Sequence, residues 1–337
     1  MNHASDPPSK KARQDAERFR ETWQRIRAEV GKALVGQDQV VEGVLTALFA
    51  GGHVLLEGVP GLGKTLLVRS LGEALDLEFS RIQFTPDMMP SDILGTHVLT
   101  ETKKGTTSLV FEPGPVVASL ILADEINRAT PKTQSALLEA MQERQITVGN
   151  EILVLEEPFC VMATQNPVEQ EGTYPLPEAQ LDRFLLKLIV DYPAEEDYRE
   201  ILRRTTGRTT PTLEPVSRGQ EILELRSVVR AVPVPEHVET EAIRLVRATQ
   251  PGTPEAPPLV RQFVALGASP RGAQALLLAG KVRALLEGRY AVAAEDLRRV
   301  APAALRHRVL LNYQGHAEGV TADQVVGEVL RRLPVGA

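Results

Sequence analysis

The segment Gly58-Val59-Pro60-Gly61-Leu62-Gly63-Lys64-Thr65 constrains this chain more than any other part of its sequence. It matches the pattern G-x-x-x-x-G-K-[ST] in full. Glycines let backbone N–H groups curl around a phosphate, and a helix that begins there directs its positive dipole end toward the anion. We expect Lys64 to neutralise the β- and γ-phosphates and Thr65 to ligate Mg²⁺. A glycine-rich turn without a ligand is the alternative, but the apolar run before the motif and the apolar helical pattern after it favour a nucleoside triphosphate site.

Short apolar runs alternate with helical patterns through the first half of the chain. Four of them are nearly continuous and lie at 53–56, 120–123, 159–163 and 185–190. Such runs are typical of strands buried on both faces of a parallel sheet. A fifth candidate, Phe79 to Phe84, interleaves polar residues and is predicted to be an edge strand. This alternation indicates an α/β domain.

Changes in polarity and in the spacing of apolar residues along the chain predict three regions. Residues 1–18 are polar and are predicted to be a disordered tail. Residues 19–192 form the α/β core, interrupted by two predicted hairpins near 98–111 and 146–155. Residues 193–337 carry only helical patterns and are predicted to be a small all-helical domain, with helices near 218–230, 236–248, 271–287, 294–311 and 322–332. The arginines of its fourth helix are predicted to form a solvated face: Arg298, Arg299, Arg306 and Arg308.

Composition and charge narrow the class of protein. Apolar residues make up 43% and charged residues 24%, which is typical of a soluble globular chain. The net charge of -6 argues against a protein that coats duplex DNA. One cysteine cannot form an intrachain disulfide. Without an apolar run of about 18 residues or a secretory signal at the N-terminus, we expect a cytoplasmic protein.

Two acidic residues end one of the apolar runs. Asp124 and Glu125 directly follow Leu120 to Ala123. Ligands of parallel sheets bind at the carboxyl ends of the strands, so both carboxylates are expected to face the phosphates. We expect Asp124 to hold the Mg²⁺ shell and Glu125 to orient and deprotonate an attacking water. An acidic turn after a strand is the alternative, and the phosphate loop some 60 residues earlier argues against it.

A polar tip also follows the next apolar run. Residues 159–163 lead into Thr164-Gln165-Asn166-Pro167. An amide at this position could hydrogen-bond the γ-phosphate or hold the water beside Glu125. Asn-Pro is also a common turn pair, so a purely local role for Asn166 is the alternative.

Together these motifs resemble the MoxR family of AAA+ ATPases. The resemblance runs from about Val35 to the end of the chain and rests on the loop Gly58–Thr65 and on the segments 123–129, 163–167 and 178–184. It implies that the first motif is Walker A, that Asp124 and Glu125 form Walker B, and that Asn166 is sensor 1. It implies ATP and Mg²⁺ as cofactors, with Thr65 and Asp124 as metal ligands. Nucleotide contacts then fall on Gly58, Pro60, Gly61, Leu62, Gly63, Lys64, Thr65 and Leu66.

The same resemblance implies roles for residues outside these motifs. Arg183 becomes an arginine finger offered to the nucleotide of a neighbouring subunit, although its own sequence context favours a salt bridge with Asp182 or Glu178. Arg128 ranks second for such a contact. The segment Gly267-Ala268-Ser269-Pro270-Arg271 resembles the sensor 2 region, which would put Arg271 near the phosphates from the lid. Val35-Gly36-Gln37 resembles the segment over the adenine, and the two predicted hairpins fall where this clade carries its helix-2 and pre-sensor-1 inserts.

The function that the resemblance implies is an ATP-hydrolysing ring, expected to be a hexamer, that remodels or matures client proteins. Such proteins are typically linked to partners with a von Willebrand factor A domain. The alternative from another class is a nucleic-acid-dependent motor. The second hairpin is acidic and lacks a lysine or arginine, which argues against that alternative, whereas Lys103 and Lys104 in the first hairpin leave it open.

Overall fold

The computed structural model describes residues 10–101, 107–149, 151–167, 172–207 and 211–333. The helices of these residues are α1 (Lys10–Ala33), α2 (Asp38–Ala50), α3 (Lys64–Leu75), α4 (Pro90–Leu94), α5 (Pro131–Glu143), α6 (Glu178–Leu181), α7 (Glu195–Thr206), α8 (Gly219–Ala231), α9 (Glu236–Ala248), α10 (Pro258–Phe263), α11 (Pro270–Leu286), α12 (Ala294–Leu305), α13 (Tyr313–Ala317) and α14 (Ala322–Arg332). The strands are β1 (Val54–Glu57), β2 (Phe79–Gln83), β3 (Gly95–Glu101), β4 (Thr107–Pro113), β5 (Leu120–Asp124), β6 (Gln145–Val148), β7 (Glu151–Val154), β8 (Cys160–Gln165), β9 (Leu186–Ile189), β10 (Val264–Leu266) and β11 (Leu310–Leu311). Within this part of the chain no helix combines the length and apolar character needed to cross a membrane.

A five-stranded parallel sheet forms the centre of the core. Its order is β2-β5-β8-β1-β9, which places β2 at one edge and β9 at the other. Parallel registers join β1 to β8 through Val54 and Met162, and β1 to β9 through Val54 and Leu186. The predicted α/β class and the predicted edge position of β2 are confirmed.

The two faces of the sheet contribute to two separate apolar cores. Leu120, Leu122 and Met162 face α1, α2, α3 and the helices after α7, whereas Ile121 and Val161 face α4, α5 and the hairpins. Successive residues of a strand point to opposite faces, and both faces here are covered by helices. This double burial explains the nearly continuous apolar runs in the sequence.

Both predicted hairpins are present as antiparallel ribbons. Strand β3 pairs with β4, and β6 pairs with β7. The two ribbons approach each other at His97, whose imidazole Nε2 lies 3.8 Å from a carboxylate oxygen of Glu151. Lys103 and Lys104, on which the nucleic-acid alternative depends, lie outside the described residues.

Helix α1 begins at Lys10, so the tail predicted over residues 1–18 is wrong for its last nine residues. Ala16 is fully buried, and Phe19 and Trp23 pack their rings against Phe49 of α2 with centroids 5.0 and 5.7 Å away. The charged residues between them fall on the solvent side of the helix. In the first turns of α1 the buried face is marked in the sequence only by Ala16. One small apolar residue is too weak a pattern to predict a helix.

The second domain is largely helical, as predicted, with two departures. The helix predicted over 294–311 ends at Leu305, and residues 310–311 form β11, which pairs with β10. The arginines predicted to be solvated are mostly anchors: Arg298 bonds Glu241 at 3.1 Å, Arg306 bonds Asp323 at 3.0 Å, and Arg308 is buried. The helix pattern continues past Leu305 in sequence, but the chain turns there to insert Arg308 into the core.

His53 is a buried, neutral histidine at the start of β1. Its Nδ1 accepts a hydrogen bond from the N–H of Val161 at 3.0 Å, and Nε2 lies 3.1 Å from the carbonyl oxygen of Met141. Burial lowers the pKa of His53, the hydrogen bond to Met141 opposes this shift, and the nearby charges of Arg144 and Arg226 add to it, so that the pKa is about 4. Because Nδ1 already accepts a hydrogen bond from the N–H of Val161, protonation of Nδ1 would break that bond.

This lowered pKa predicts acid sensitivity. The unfolded chain binds a proton at His53 below about pH 6.5, whereas the folded chain does so only near pH 4, so stability falls as pH decreases between these values. We expect His53 to account for a loss of about 2 kcal/mol in the free energy of unfolding between pH 7.5 and pH 5. Urea unfolding of the native chain and of His53→Gln at both pH values measures it. An equal loss in the variant would contradict the assignment.

Candidate active site

The loop Gly58–Thr65 connects the carboxyl end of β1 to the first turn of α3. Gly61 and Gly63 have φ angles of +85° and +81°, a region that favours glycine. A Cβ on Gly58 would lie 2.5 Å from the carbonyl oxygen of Val190, so the loop also depends on close backbone packing. The loop thus directs the amino-terminal end of α3 at the edge of the sheet where parallel strands bind ligands.

Lys64 bonds to the loop itself. Its Nζ donates to the carbonyl oxygen of Gly58 at 2.6 Å and lies 3.4 Å from that of Val59. Burial lowers the pKa of Lys64, while the charges of Asp124 and Glu125 oppose the shift. Among the described residues no carboxylate bonds this half-buried ammonium, so its environment fits a phosphate ligand.

The two predicted acids lie at the carboxyl end of β5, beside the loop. Thr164, which is buried on β8, donates its hydroxyl to Asp124 Oδ1 at 2.7 Å. The same hydroxyl oxygen accepts the N–H of Glu125 at 2.8 Å. Glu125 has a φ of +57°, a conformation that this hydrogen bond helps to hold. One threonine therefore holds the carboxylate of Asp124 and the backbone of Glu125.

Edge strand β2 supplies further contacts that the sequence analysis missed. Arg81 Nη2 lies 2.7 Å from Asp124 Oδ2, and Gln83 Nε2 donates to Glu125 Oε2 at 3.0 Å. Arg128, in the turn after β5, lies 3.2 Å from the same Glu125 oxygen. From the sequence, the polar residues of β2 indicated only an edge strand. Residues 81 and 83 are two positions apart and therefore share one face of the strand, and this alternation could have indicated that both side chains point to the same site.

Asn166 follows β8 at the same edge of the sheet. The preceding residue, Gln165, pairs with Glu57 and accepts the N–H of Gly58 at 3.2 Å through its carbonyl oxygen. The chain therefore carries Asn166 to the first residue of the phosphate loop. Its position matches the expected one, and its role remains a prediction.

The segment predicted to cover the adenine borders a cavity next to the loop. This cavity of about 240 Å³ is lined by Leu34, Val35, Gly36 and Gln37 on one side and by Asp197 and Arg204 of α7 on the other. Leu34 approaches Gly63, where a Cβ would lie 3.1 Å from its Cδ1. Gln37 Nε2 donates to the carbonyl oxygen of Asp191 at 3.0 Å, which closes one wall. Leu34 thus lies between the cavity and the phosphate loop.

The chemistry of the donor set fits Mg²⁺ bound together with phosphates. Thr65 offers a hydroxyl oxygen at the start of α3, and Asp124 offers a carboxylate held by Thr164. In the part of the chain that the structure describes, no group of three or more His, Cys, Asp or Glu side chains could hold a metal ion. Mg²⁺ typically binds through one or two protein oxygens and substrate phosphates, so two ligands suffice.

Arg183 and Arg271 lie at the opposite edge of the sheet. Both line a cavity of about 230 Å³ with Gly52, His53 and Arg308, at the amino ends of β1 and β9. Since the strands are parallel, at least four residues of strand, on the order of 10 Å, separate this arginine pocket from the phosphate loop of the same chain. The structure therefore brings Arg271 to Arg183 and not to its own phosphate loop.

A buried ion pair fixes this arrangement. Arg308 Nε lies 2.7 Å from Asp182 Oδ1, and its Nη2 donates to the carbonyl oxygen of Phe184 at 2.7 Å. Ser269 donates to the other Asp182 oxygen at 2.8 Å. Burial lowers the pKa of Arg308, and Asp182 opposes the shift. Asp182 is thus bonded to the second domain and not to Arg183. Arg183 Nη1 donates to the carbonyl oxygen of Leu138, and its buried Nε has no hydrogen-bond partner among the described residues.

A phosphate loop on a five-stranded parallel sheet, with paired acids on the adjacent strand and a helical second domain, defines an AAA+ ATPase. Family models agree: residues 53–186 match the ATPase family associated with various cellular activities, and residues 258–329 match the AAA lid domain. We therefore refer to the domain after the core as the lid.

Comparison with individual proteins shows to which family of AAA+ ATPases the chain belongs. It is 44% identical to the chaperone MoxR1 of Mycobacterium tuberculosis over 93% of this chain and 82% of that protein. It is 35% identical to the protein MoxR of Methylorubrum extorquens over 87% of this chain and 89% of that protein. A crystal structure from Cytophaga hutchinsonii, provisionally described as an ATPase, is 41% identical, covers 97% of this chain and 99% of the other, and superposes with a TM-score of 0.89. The chain belongs to the MoxR family of AAA+ ATPases.

The Thr164 bridge generates a test. In Thr164→Val, the methyl leaves Asp124 and the N–H of Glu125 without their buried partner, and we expect kcat for ATP hydrolysis to fall about tenfold or more. Nucleotide binding, measured with a fluorescent ATP analogue, should change much less because the phosphate loop is untouched. Thr164→Ser retains the hydroxyl and serves as the matched control. Equal losses in both variants would show that the hydroxyl is not the active feature.

Proposed function

We propose that this chain hydrolyses ATP in a ring, expected to be a hexamer, in which each site is built from two subunits. The observation that carries the proposal is the separation of the two halves of the site within one chain. The phosphate loop, Asp124 and Glu125 lie at the carboxyl edge of the sheet, and Arg183 and Arg271 lie at the amino edge. A heterologous contact that repeats around a ring would bring the arginines of one subunit to the phosphates of the next.

In this proposal the phosphate loop and Lys64 bind the phosphates, and Thr65 with Asp124 holds Mg²⁺. The metal, when bound, neutralises charge on the β- and γ-phosphate oxygens. Glu125 accepts a proton from the attacking water and is oriented through Oε2 by Gln83 and Arg128. Asn166 holds the water or the γ-phosphate from the neighbouring strand tip. Gly36 and Gln37 contact the adenine in the adjoining cavity.

The arginine pocket supplies positive charge for the transition state. The buried Nε of Arg183 has no hydrogen-bond partner in the described part of the chain, which is consistent with a guanidinium whose final partner comes from another chain. A cation at the γ-phosphate stabilises the transition state by about 10³-fold or more in rate. We propose that Arg271 contacts the same phosphates from the lid of that neighbour. The ion pair between Arg308 and Asp182 would keep the lid and Arg183 in a fixed relative position.

The work done by hydrolysis is proposed to be remodelling or maturation of client proteins in the cytoplasm. Support comes from the two hairpins, whose exposed side chains include Leu99, Leu109, Ile152 and Val154. Apolar surface of this kind fits a protein ligand better than a phosphate backbone. A partner with a von Willebrand factor A domain is proposed from the family resemblance alone.

Two inactive variants test whether the site is shared. Glu125→Gln removes the base but keeps Arg183, and Arg183→Ala removes the arginine but keeps Glu125. Each alone should be slower than the native chain by about 10³-fold. Mixed in equal amounts, they should regain activity, because about one quarter of randomly formed interfaces then combine an intact Glu125 with an intact Arg183. ATP hydrolysis across a dilution series measures both effects. Activity that stays absent on mixing, with ATP binding and assembly intact, would contradict a shared site.

A second measurement addresses the nucleic-acid alternative. None of the described strand residues of the two hairpins is a lysine or arginine, so we expect single-stranded DNA to leave the ATPase rate unchanged within about twofold. The rate is compared with and without the oligonucleotide at low salt, where a phosphate contact would be strongest. Strong stimulation that disappears with added salt would favour the motor instead.

A further inference from the structure

Helix α7 has an apolar face that the described residues of the chain leave exposed. None of its residues is buried. Tyr198 and Leu202, four residues apart and therefore on one side of the helix, are 44% and 57% exposed, and Tyr192 just before the helix is 68% exposed. We refer to Tyr192, Tyr198 and Leu202 as the α7 surface. Exposed apolar patches on a protein surface often mark interaction sites.

The α7 surface adjoins the nucleotide half of the site. The same helix lines the cavity next to the phosphate loop through Asp197 and Arg204. A Cβ on Gly36 would lie 2.6 Å from Asp197 Oδ2, so the helix is packed directly on the segment proposed to contact the adenine. Helix α7 therefore flanks the nucleotide half of the proposed site.

A second exposed apolar patch adjoins the arginine half. Leu266 at the end of β10 is 51% exposed, and Tyr313 at the start of α13 is 90% exposed. The two are joined through β11, because β10 pairs with it and α13 follows it directly. Leu266 and Tyr313 are named the ribbon surface. Three residues after Leu266, Ser269 bonds Asp182, the residue before Arg183.

The charges around the two surfaces are complementary. The first turn of α7 carries Glu195, Glu196 and Asp197, whereas Arg199, Arg203 and Arg204 follow along the helix and pair with Glu195 and Glu200, so the negative charge of α7 is concentrated at its amino end. Arg271 lies five residues after Leu266 and is exposed at the arginine pocket. Opposite charges at the amino end of α7 and at Arg271 favour one orientation of an apolar contact between the two surfaces.

We infer that the ribbon surface of one subunit packs on the α7 surface of the next when Arg183 and Arg271 approach the neighbour's phosphates. This inference rests on the proposed shared site and adds the contact that aligns it. The occupant is a second copy of this chain, since the two surfaces flank the two halves of one site. A contact between different surfaces repeats from subunit to subunit and closes a ring.

Cysteine cross-linking tests the contact directly. The single native cysteine, Cys160, is fully buried, and burial raises the pKa of its thiol to about 11, so it does not react with a maleimide in the folded chain. Leu202→Cys and Leu266→Cys are prepared as separate variants and as a double variant. Each is treated with a short bismaleimide in the presence of Mg²⁺ and a non-hydrolysable ATP analogue, and light scattering of the same sample reports assembly.

The inference makes a distinct prediction for each sample. Single variants alone should stay uncross-linked, and their equal mixture should give covalent dimers only. The double variant should give a ladder of covalent oligomers up to the ring. Leu202→Cys mixed with Ile243→Cys is the matched control, since Ile243 is a lid residue of similar exposure, 48%, outside the ribbon surface, and should give no dimer.

Failure of the inference differs from failure of the proposed function. Assembled protein that restores activity by mixing the Glu125 and Arg183 variants, yet gives no dimer from the Leu202 and Leu266 mixture, overturns the contact and leaves the shared site standing. Cross-linking of Leu202→Cys alone would show a contact between like surfaces and would also overturn it. Protein that stays monomeric and hydrolyses ATP without Arg183 overturns the proposed function itself.

A substitution provides an independent readout. Leu202→Asp should raise the protein concentration needed for half-maximal ATPase activity by about tenfold or more, because it places a charge at an interface that buries a leucine. Binding of the ATP analogue and the thermal unfolding midpoint should match those of the native chain, since the side chain is exposed in the single subunit. Ile243→Asp is the control and should leave the concentration dependence unchanged. Equal shifts in both variants would overturn the contact.

Discussion

The five strands of the core run in one direction, and the arrangement of functional groups depends on that constraint. Parallel strands send all their carboxyl ends to one edge, which gathers the phosphate loop, Asp124, Glu125 and Asn166 within reach of one ligand. The same geometry sends the chain segments that precede the strands to the other edge. Arg183, three residues before β9, is held there and cannot reach the phosphates of its own chain. Two incomplete halves on opposite edges are what a ring of identical subunits can join.

The lid is fixed to the second of these edges by charged groups that are largely buried. Arg308 is buried against Asp182 and the carbonyl oxygens of Phe184 and Leu185, and Ser269 bonds the same carboxylate. Removing one partner of such a pair leaves an uncompensated charge, so the pair enforces a single arrangement even where it adds little net stability. Arg283 on α11 adds an ion pair with Glu42 of α2. Because Asp182 and Arg183 are adjacent, the contacts of Arg308 and Ser269 with Asp182 couple the position of Arg183 to that of the lid.

At the carboxyl edge of the sheet, the positions of Asp124 and Glu125 depend on residues that belong to no recognisable motif. In the sequence Thr164 is only one polar residue after an apolar run. In the structure it lies inside strand β8 and bonds Asp124 and the backbone of Glu125. Gln83 and Arg81 lie on a strand whose sequence indicated only an exposed edge. The sequence places each strand correctly but does not contain the order β2-β5-β8, and it is this order that puts residues from three separate segments in contact.

The sequence by itself determined the phosphate loop, the paired acids, the five strands, both hairpins and the family, because each depends on residues close together in the chain or on a regular period. The first turns of α1, the end of α12 at Leu305 and the contacts of Arg308 were decided only by the tertiary structure, since burial against distant segments overrides a weak or misleading local pattern. The same holds for Arg271. Its segment was identifiable from its residues, but which edge of the sheet it faces depends on where the lid packs, and lid packing is a sum of contacts between residues more than a hundred positions apart, such as Arg308 with Asp182.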